Sequence, residues 1–327
     1  MDPLSQFLTG PRAQAAFALR VVMDAPFAID VRDEAALTVI TPVRGAAWIV
    51  PDHAAPQLLG PGQAATVRGP GPYRVADTAD RAPTVVIDPG QSCRTPAGEH
   101  LETTMAHGLR TWGNSAEGDT VLLIGTYQSE AAVGGLVTSA LPPLAVFTEH
   151  ETDPALRGLL ERELTTAGPG QASALDRILD LMLLDVVRAW ARRSGPSTPS
   201  WITATGDPVV SEALALLHEQ PADPWTVAEL ARRVHVSRAT LAARFRTAVG
   251  QPPMAYLTTW RLALAADRLV DSTATTATIA AEVGYSSAFT FSTAFTRAYG
   301  ASPTAYRRTT HSRHPRNPPG IRASTSP

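Results

Sequence analysis

The sequence predicts an α+β chain of two domains. An N-terminal β-barrel followed by helices precedes a C-terminal all-α domain, in which two helix-turn-helix units are joined by a linker helix. Three observations carry this. The last third holds two copies of one helical pattern 50 positions apart. Residues 16–127 are a succession of short β-prone runs cut by Pro/Gly turns. Charge is also segregated between the two halves.

The first copy is TVAELARRVHVSRATLAARFRTAVGQPPMAY (Thr226–Tyr256) and the second ATIAAEVGYSSAFTFSTAFTRAYGASPTAY (Ala277–Tyr306). Counted back from the closing Gly-x-x-Pro-x-x-Tyr, Gly250 aligns with Gly300, Pro253 with Pro303, Tyr256 with Tyr306, Phe245 with Phe295 and Leu241 with Phe291. One extra residue in the second turn then matches Val234 to Val283, Ala231 to Ala280 and Leu230 to Ile279. Each copy reads as a short helix, a turn and a second helix with an apolar i, i+4 stripe, the layout in which a second helix enters the DNA major groove.

Thr226 with Glu229 forms a capping box. Ser237 is an N-cap for the second helix, and Asp207-Pro208 and Ser302-Pro303 each place a capper before a proline at the first helical position. Gly284 supplies a positive φ in the second turn, where the first copy has His235. Pro253–Val270 is rich in helix formers and would span about 27 Å. Major-groove faces lie roughly 34 Å apart, so such a helix holds both readers on one side of a modestly bent duplex.

Trp225–Arg308 resembles the DNA-binding domain of the AraC/XylS family of bacterial transcription regulators. The ELARRV and SRATLAARF segments and the ending IAAEVGY, FSTAFTRAYGASPTAYRR carry the likeness. Two copies are too few to stack as a structural solenoid.

All 28 basic residues are arginine, and the formal net charge is −2. Residues 1–207 carry 15 arginines against 23 acids, a charge of −8; residues 208–327 carry 13 against 7, a charge of +6. A basic domain attached to an acidic one is the footprint of a DNA reader with a separate sensor. With 327 residues, 44% of them apolar, the chain can build two cores. A single cysteine, Cys93, excludes an intramolecular disulfide and suits a reducing cytoplasm. The first residues lack the apolar core of a secretory signal, and no apolar run approaches membrane-spanning length. The expected location is the cytoplasm.

In the first half the runs AFALRVVM, FAIDV, LTVI, AAWIVP, AATV, TVVI and VLLIGTY alternate with turns such as Thr41-Pro42, Gly60-Pro61-Gly62 and Asp88-Pro89-Gly90. Many short punctuated strands imply a sandwich or barrel. The opening DPLSQFL, the segment RGAAWIVPDHAAPQLLGPGQAATVRGPGPYRVADT and TVLLIGTY are similar to the cupin-type sensor of one AraC subgroup. This chain departs from that pattern with Pro72-Tyr73-Arg74 where many relatives have a histidine. His53, His100 and His107 are scattered, and Glu99-His100-Leu101-Glu102 lacks the paired-histidine spacing of a metal-binding cupin, so no metal and no cofactor is expected. Cys93 lies in a polar DPGQSCRTP loop beside Arg94, which reads as a surface thiol with a favoured thiolate.

Beyond Pro142-Pro143 the sequence reads as helical, with amphipathic stretches at Asp153–Thr166 and Ser173–Arg193. The second has a wide stripe (Leu175, Ile178, Leu179, Met182, Val186, Trp190, with Leu183, Leu184 and Val187), implying burial on more than one side. In the resembled family such helices pair subunits, so a homodimer is expected through this stretch, the alternative being that it covers the barrel. The expected division is residues 1–150 sensor barrel, 151–195 helical dimerisation segment, 196–207 Pro/Ser-rich linker, 208–309 double helix-turn-helix and 310–327 disordered tail.

On the first reading helix Leu241 and Phe245 face the core, leaving Arg238, Ala239, Ala242, Ala243 and Arg246 for DNA. The alanines offer methyls to thymine, and the arginines reach phosphate or guanine. On the second, Phe291 and Phe295 are core, and Ser287, Ala288, Phe289, Thr290, Ser292, Thr293, Thr296 and Arg297 face outward. The resemblance implies a sequence-specific transcription regulator, an activator more often than a repressor, and not an enzyme. Its partners would be double-stranded promoter DNA, RNA polymerase, a second copy of the chain and an unidentified small-molecule effector, with no membrane. A metalloenzyme cupin fused to a DNA-binding domain and a ligand-independent regulator are the alternatives.

Overall fold

The computed structural model describes residues 16–108, 110–127, 141–194 and 207–313. They fall into two compact units, one ending at residue 194 and one beginning at 207.

In the first unit twelve strands form two six-stranded sheets. The first contains β1 (Ala16–Met23), β3 (Leu37–Arg44), β6 (Ala64–Arg68), β10 (Thr111–Gly113), β11 (Thr120–Tyr127) and β12 (Leu144–Phe147), in the order β10-β1-β11-β3-β6-β12. The second contains β2 (Ala28–Val31), β4 (Ala47–Pro51), β5 (Gln57–Leu59), β7 (Tyr73–Ala76), β8 (Val85–Asp88) and β9 (Ser92–Arg94), in the order β5-β4-β7-β2-β8-β9. Pairing is antiparallel except at β1–β10 and β2–β8. The expected barrel is thus a pair of open sheets: among the described residues no ladder joins the edge strands of one to the other.

The strand period places the core. Leu19, Val21 and Met23 of β1 join one apolar cluster with Ile29 and Val31 of β2, Ile49 of β4, Val75 of β7 and Leu122 of β11, so both sheets contribute to it. Ala18 and Val22, of opposite parity, are also buried, on a strand contacted by α1 (Pro154–Thr165) and α2 (Gln171–Ser194). Asp153 caps α1 by accepting from the Ala155 amide at 2.8 Å, with Pro154 opening the helix. The phenol of Tyr127 on β11 donates to the Leu179 carbonyl of α2 at 2.7 Å.

Two expectations change here. Strand β12 follows Pro142-Pro143, where the sequence reads as helix; its four residues Leu-Ala-Val-Phe pair with Ala64–Val67 as an edge strand. Most of the α2 stripe is also covered within the chain, Leu184 remaining half-buried. Leu175, Ile178, Leu179, Met182, Leu183, Val186, Val187 and Trp190 are all buried within this one chain. At the C-terminal end of α2 Arg193 donates to the Val146 carbonyl at 2.6 Å and stacks over Phe147. Packing on the sheet and on α1 thus accounts for most of the width of the stripe.

The second unit is all helical: α3 (Pro208–Glu219), α4 (Val227–Arg233), α5 (Arg238–Val249), α6 (Pro253–Asp271), α7 (Thr276–Glu282), α8 (Ala288–Tyr299) and α9 (Pro303–Arg313). The last helix runs four residues into the stretch expected to be tail. The opening DPLSQFL, the linker 196–206 and the tail beyond 313 lie outside the described residues. Among those described, no helix is long and apolar enough to cross a membrane.

Candidate nucleic-acid interface

The two copies of the pattern fold into matching helix-turn-helix units, α4–α5 and α7–α8. Thr226 caps α4 by accepting from the Glu229 amide at 3.1 Å, and Thr275 does the same for α7 from Thr278. The carboxylate of Glu229 turns to Arg232 and Arg233, and the hydrogen bond from Arg232 is the main cause pulling its pKa below the usual range. In the turns Val236 N–H donates to the Ala231 carbonyl and Tyr285 N–H to that of Ala280, at 3.0 and 2.8 Å. His235 has φ 54° and Gly284 φ 86°, so both turns pass through the left-handed region. Ser286 is the extra residue, and the N-caps fall again in register: Ser237 accepts from Thr240, and Ser287 from Thr290, both at 3.1 Å.

The second helices are held from behind by equivalent contacts. Leu241, Phe245, Phe291 and Phe295 are fully buried. Tyr256 packs edge-on against Phe245, ring centroids 5.8 Å apart, and Tyr306 against Phe295 at 5.4 Å. The linker helix α6 ties the two units together. Its Arg261 donates to the Pro221 and Asp223 carbonyls at 2.6 and 2.7 Å, and a Cβ on Gly284 would lie 2.7 Å from the Ala222 carbonyl oxygen. Arg307 of α9 donates to the carbonyls of Leu269 and Ala274, at the C-terminal end of α6 and just past it.

With the core side fixed, the 3.6-residue period sets the opposite face. On α5 it is Ala239, Ala243 and Arg246, all exposed; on α8 it is Phe289, Thr293 and Thr296, all exposed. Arg238, Ser287, Thr290 and Arg297 are exposed beside them, while Ala242, Ala288 and Ser292 are half-buried flanks. Neither helix carries an acid. Several hydroxyls on this surface are already engaged locally. Ser237 and Thr240 lie 2.8 Å apart, Ser287 and Thr290 3.0 Å apart, and Thr293 donates to the Phe289 carbonyl at 3.0 Å. Arg244, not singled out from sequence, points back to Asp207 at 3.6 Å.

In the first unit the candidate groups behave differently from the sequence reading. Cys93 is buried, and desolvation is the main cause raising its thiol pKa. Arg94 pairs with Asp88 at 2.6 Å, so the expected surface thiolate beside a free arginine is corrected to a buried thiol. Hydrogen bonds, first from its own backbone amide and then from His100, the Cys93 amide and Ser92, hold Glu102 at a pKa of about 2. Glu99-His100-Leu101-Glu102 is therefore a local hydrogen-bond network around one carboxylate. His53, His100 and His107 are exposed, His107 Nε2 lying 2.9 Å from the Gly113 carbonyl oxygen. No three His, Cys, Asp or Glu side chains among the described residues gather as a metal site. Tyr73 is buried in the core between the sheets.

Residues 2–192 match the sequence profile of a family described as Cupin, and residues 230–309 that of one described as Helix-turn-helix domain. An AraC-like transcription regulator of Streptomyces lividans is 39% identical over 199 residues, 59% of this chain and 66% of that one. The match thus spans just under two thirds of that relative's length. The RCS-specific HTH-type transcriptional activator RclR of Escherichia coli is 29% identical over 212 residues, 63% of this chain and 73% of RclR. Among solved structures, the DNA-binding domain of AdpA in complex with a target DNA is 31% identical, covers 33% of this chain and 97% of its own, and has a TM-score of 0.32. The helix-turn-helix match falls on the duplicated helical unit, the cupin match on the two-sheet unit, and together they make this chain a member of the AraC/XylS family with a cupin-type N-terminal domain.

Proposed function

We propose that this chain is a sequence-specific DNA-binding transcription regulator. Residues 208–309 read the duplex, and a small molecule or other signal acts through the N-terminal domain. The observation that carries the reading is the duplicated outward face. Two helices with matching serine caps and buried core positions present acid-free stripes, in the part of the chain that has a formal charge of +6. Arg238, Arg246 and Arg297 hold phosphates or a guanine, and Ala239, Ala242, Ala243, Ser287, Ala288, Phe289, Thr290, Ser292, Thr293 and Thr296 make up the rest of the reading surface.

The wider reading follows from family membership: a non-enzymatic cytoplasmic regulator, activating with RNA polymerase and acting as a homodimer. The homodimer rests on the family, since most of the α2 stripe is occupied within the chain. Replacing Met182 and Val186 by arginine would bury unpaired charge and unfold the first unit rather than give folded monomers. Sedimentation of the unmodified chain is the measurement that decides its oligomeric state.

The test of DNA reading is selection of duplexes from a randomised pool by the full chain. A defined motif is the expected outcome. Recovery of the starting base composition after repeated rounds, with retention on the pool at low salt, would reduce the protein to a nonspecific cation.

A further inference from the structure

We infer that Phe289 is a specificity-determining residue that reads the 5-methyl group of a thymine in the major groove. This rests on the DNA-reading function proposed above and adds the chemical feature that α8 recognises. Phe289 is 82% exposed, far more than any other large apolar side chain among the described residues. It stands on the face of α8 opposite Phe291 and Phe295 and is the second residue of the helix. In docked helix-turn-helix proteins the amino-terminal residues of the second helix are those that meet base edges.

The surrounding chemistry narrows what such a ring would meet. A phenylalanine donates and accepts no hydrogen bond, and the thymine methyl is the one apolar group that base pairs present in the major groove. The hydroxyls next to it are engaged on their own helix: Ser287 with Thr290, and Thr293 with the Phe289 carbonyl. The ring is therefore the group of this turn with no partner chemistry inside the protein. The equivalent position of the first unit is Ala239, whose side chain is a single methyl. The two units thus reach unequally far into their grooves at the same helical position.

The test uses the full chain and the duplex it selects from a randomised pool. Each thymine is replaced in turn by deoxyuridine, which keeps pairing and every hydrogen-bonding group but lacks the methyl. The parent should lose affinity by about threefold to tenfold at one or two positions. For Phe289→Ala the same replacements should change nothing, while methyl effects belonging to the alanines of α5 persist. Phe289→Leu should keep part of the discrimination. Circular dichroism should show both variants folded, as expected for an exposed side chain. Equal deoxyuridine losses for parent and Phe289→Ala at every position would overturn the inference. So would a Phe289→Ala variant that binds all duplexes as the parent does, which would assign the ring to a protein partner instead. A parent chain that selects no motif at all would overturn the DNA-reading function itself, so the two failures are distinguishable.

Discussion

Helix α5 turns alanine and arginine outward where α8 turns phenylalanine and threonine, although both are backed by an equivalent Phe–Tyr edge contact and opened by the same serine cap. Position for position, Ala239 answers to Phe289, Ala243 to Thr293 and Arg246 to Thr296. The hydrophobic back of each unit is set by the need to fill one small core, so the repeat keeps it. The front is free of that demand and has diverged into two chemistries: charge and small methyls in the first unit, hydroxyls and one large ring in the second. Duplication of a fold is thus not duplication of a reader. Set against a duplex, the two fronts would offer it different groups.

The largest expected effect lies in the turns. Gly284→His, which gives the second unit the turn residue of the first, would drive a Cβ against the Ala222 backbone and Arg261. A loss of about 3 kcal/mol or more is expected in urea unfolding of the C-terminal unit. The reverse exchange, His235→Gly, should stay within about 1 kcal/mol of the parent, since relief of a left-handed histidine is offset by unfolded-chain entropy. Equal costs for the two exchanges would mean that the turns are not packed differently.

Next comes the contrast of charge. Arg246→Ala should weaken binding to every duplex roughly tenfold and lower the slope of log affinity against log salt by about one, because one phosphate contact is lost. Thr296→Ala at the matching position should leave that slope unchanged. Titrations at two salt concentrations distinguish them, and an equal slope change for the threonine would show that lost charge is not the cause of the Arg246 effect.

Smaller still, Ser237→Ala and Ser287→Ala should each cost about 1 kcal/mol of stability, since both hydroxyls accept from an amide at 3.1 Å. A marked inequality would break the equivalence of the two backbones. The smallest effect is expected of Thr293→Ala. Its hydroxyl proton is committed to the Phe289 carbonyl, so the oxygen can only accept, from adenine N6 or cytosine N4. A few-fold loss confined to one base pair should result, read from a randomised-operator titration. A loss across all sequences would show that the residue holds the helix rather than reads.

Much of this was legible in the chain because it is local. The caps at Thr226, Ser237 and Asp207, the left-handed turn residues and the linker helix depend on residues within a turn or two of one another, and the structure has them where the spacing puts them. Strand β1 coincides with its apolar run and β11 extends its own by one residue. The strands with no signal were β5, β7, β9, β10 and β12, each three or four residues long; β2 and β8 are as short but sit in the apolar runs FAIDV and TVVI. The same brevity hid the separation into two open sheets, since pairing partners lie far apart in sequence.

By itself, then, the sequence determined the duplicated helical unit, its core positions and its outward stripe, because helical period and capping are properties of neighbouring residues. Tertiary structure decided what each stripe meets. The wide apolar face of Ser173–Arg193 announced burial, but only the fold supplied Tyr127, Phe147 and the first sheet as its partners. Cys93 looked exposed in a polar loop until the opposite sheet and Trp112 closed over it. Phe289 was already turned outward by the helical period, and the packing of Phe291 and Phe295 behind it fixed how far it stands in water. Burial is a sum over contacts that are distant along the chain, and no local pattern contains that sum.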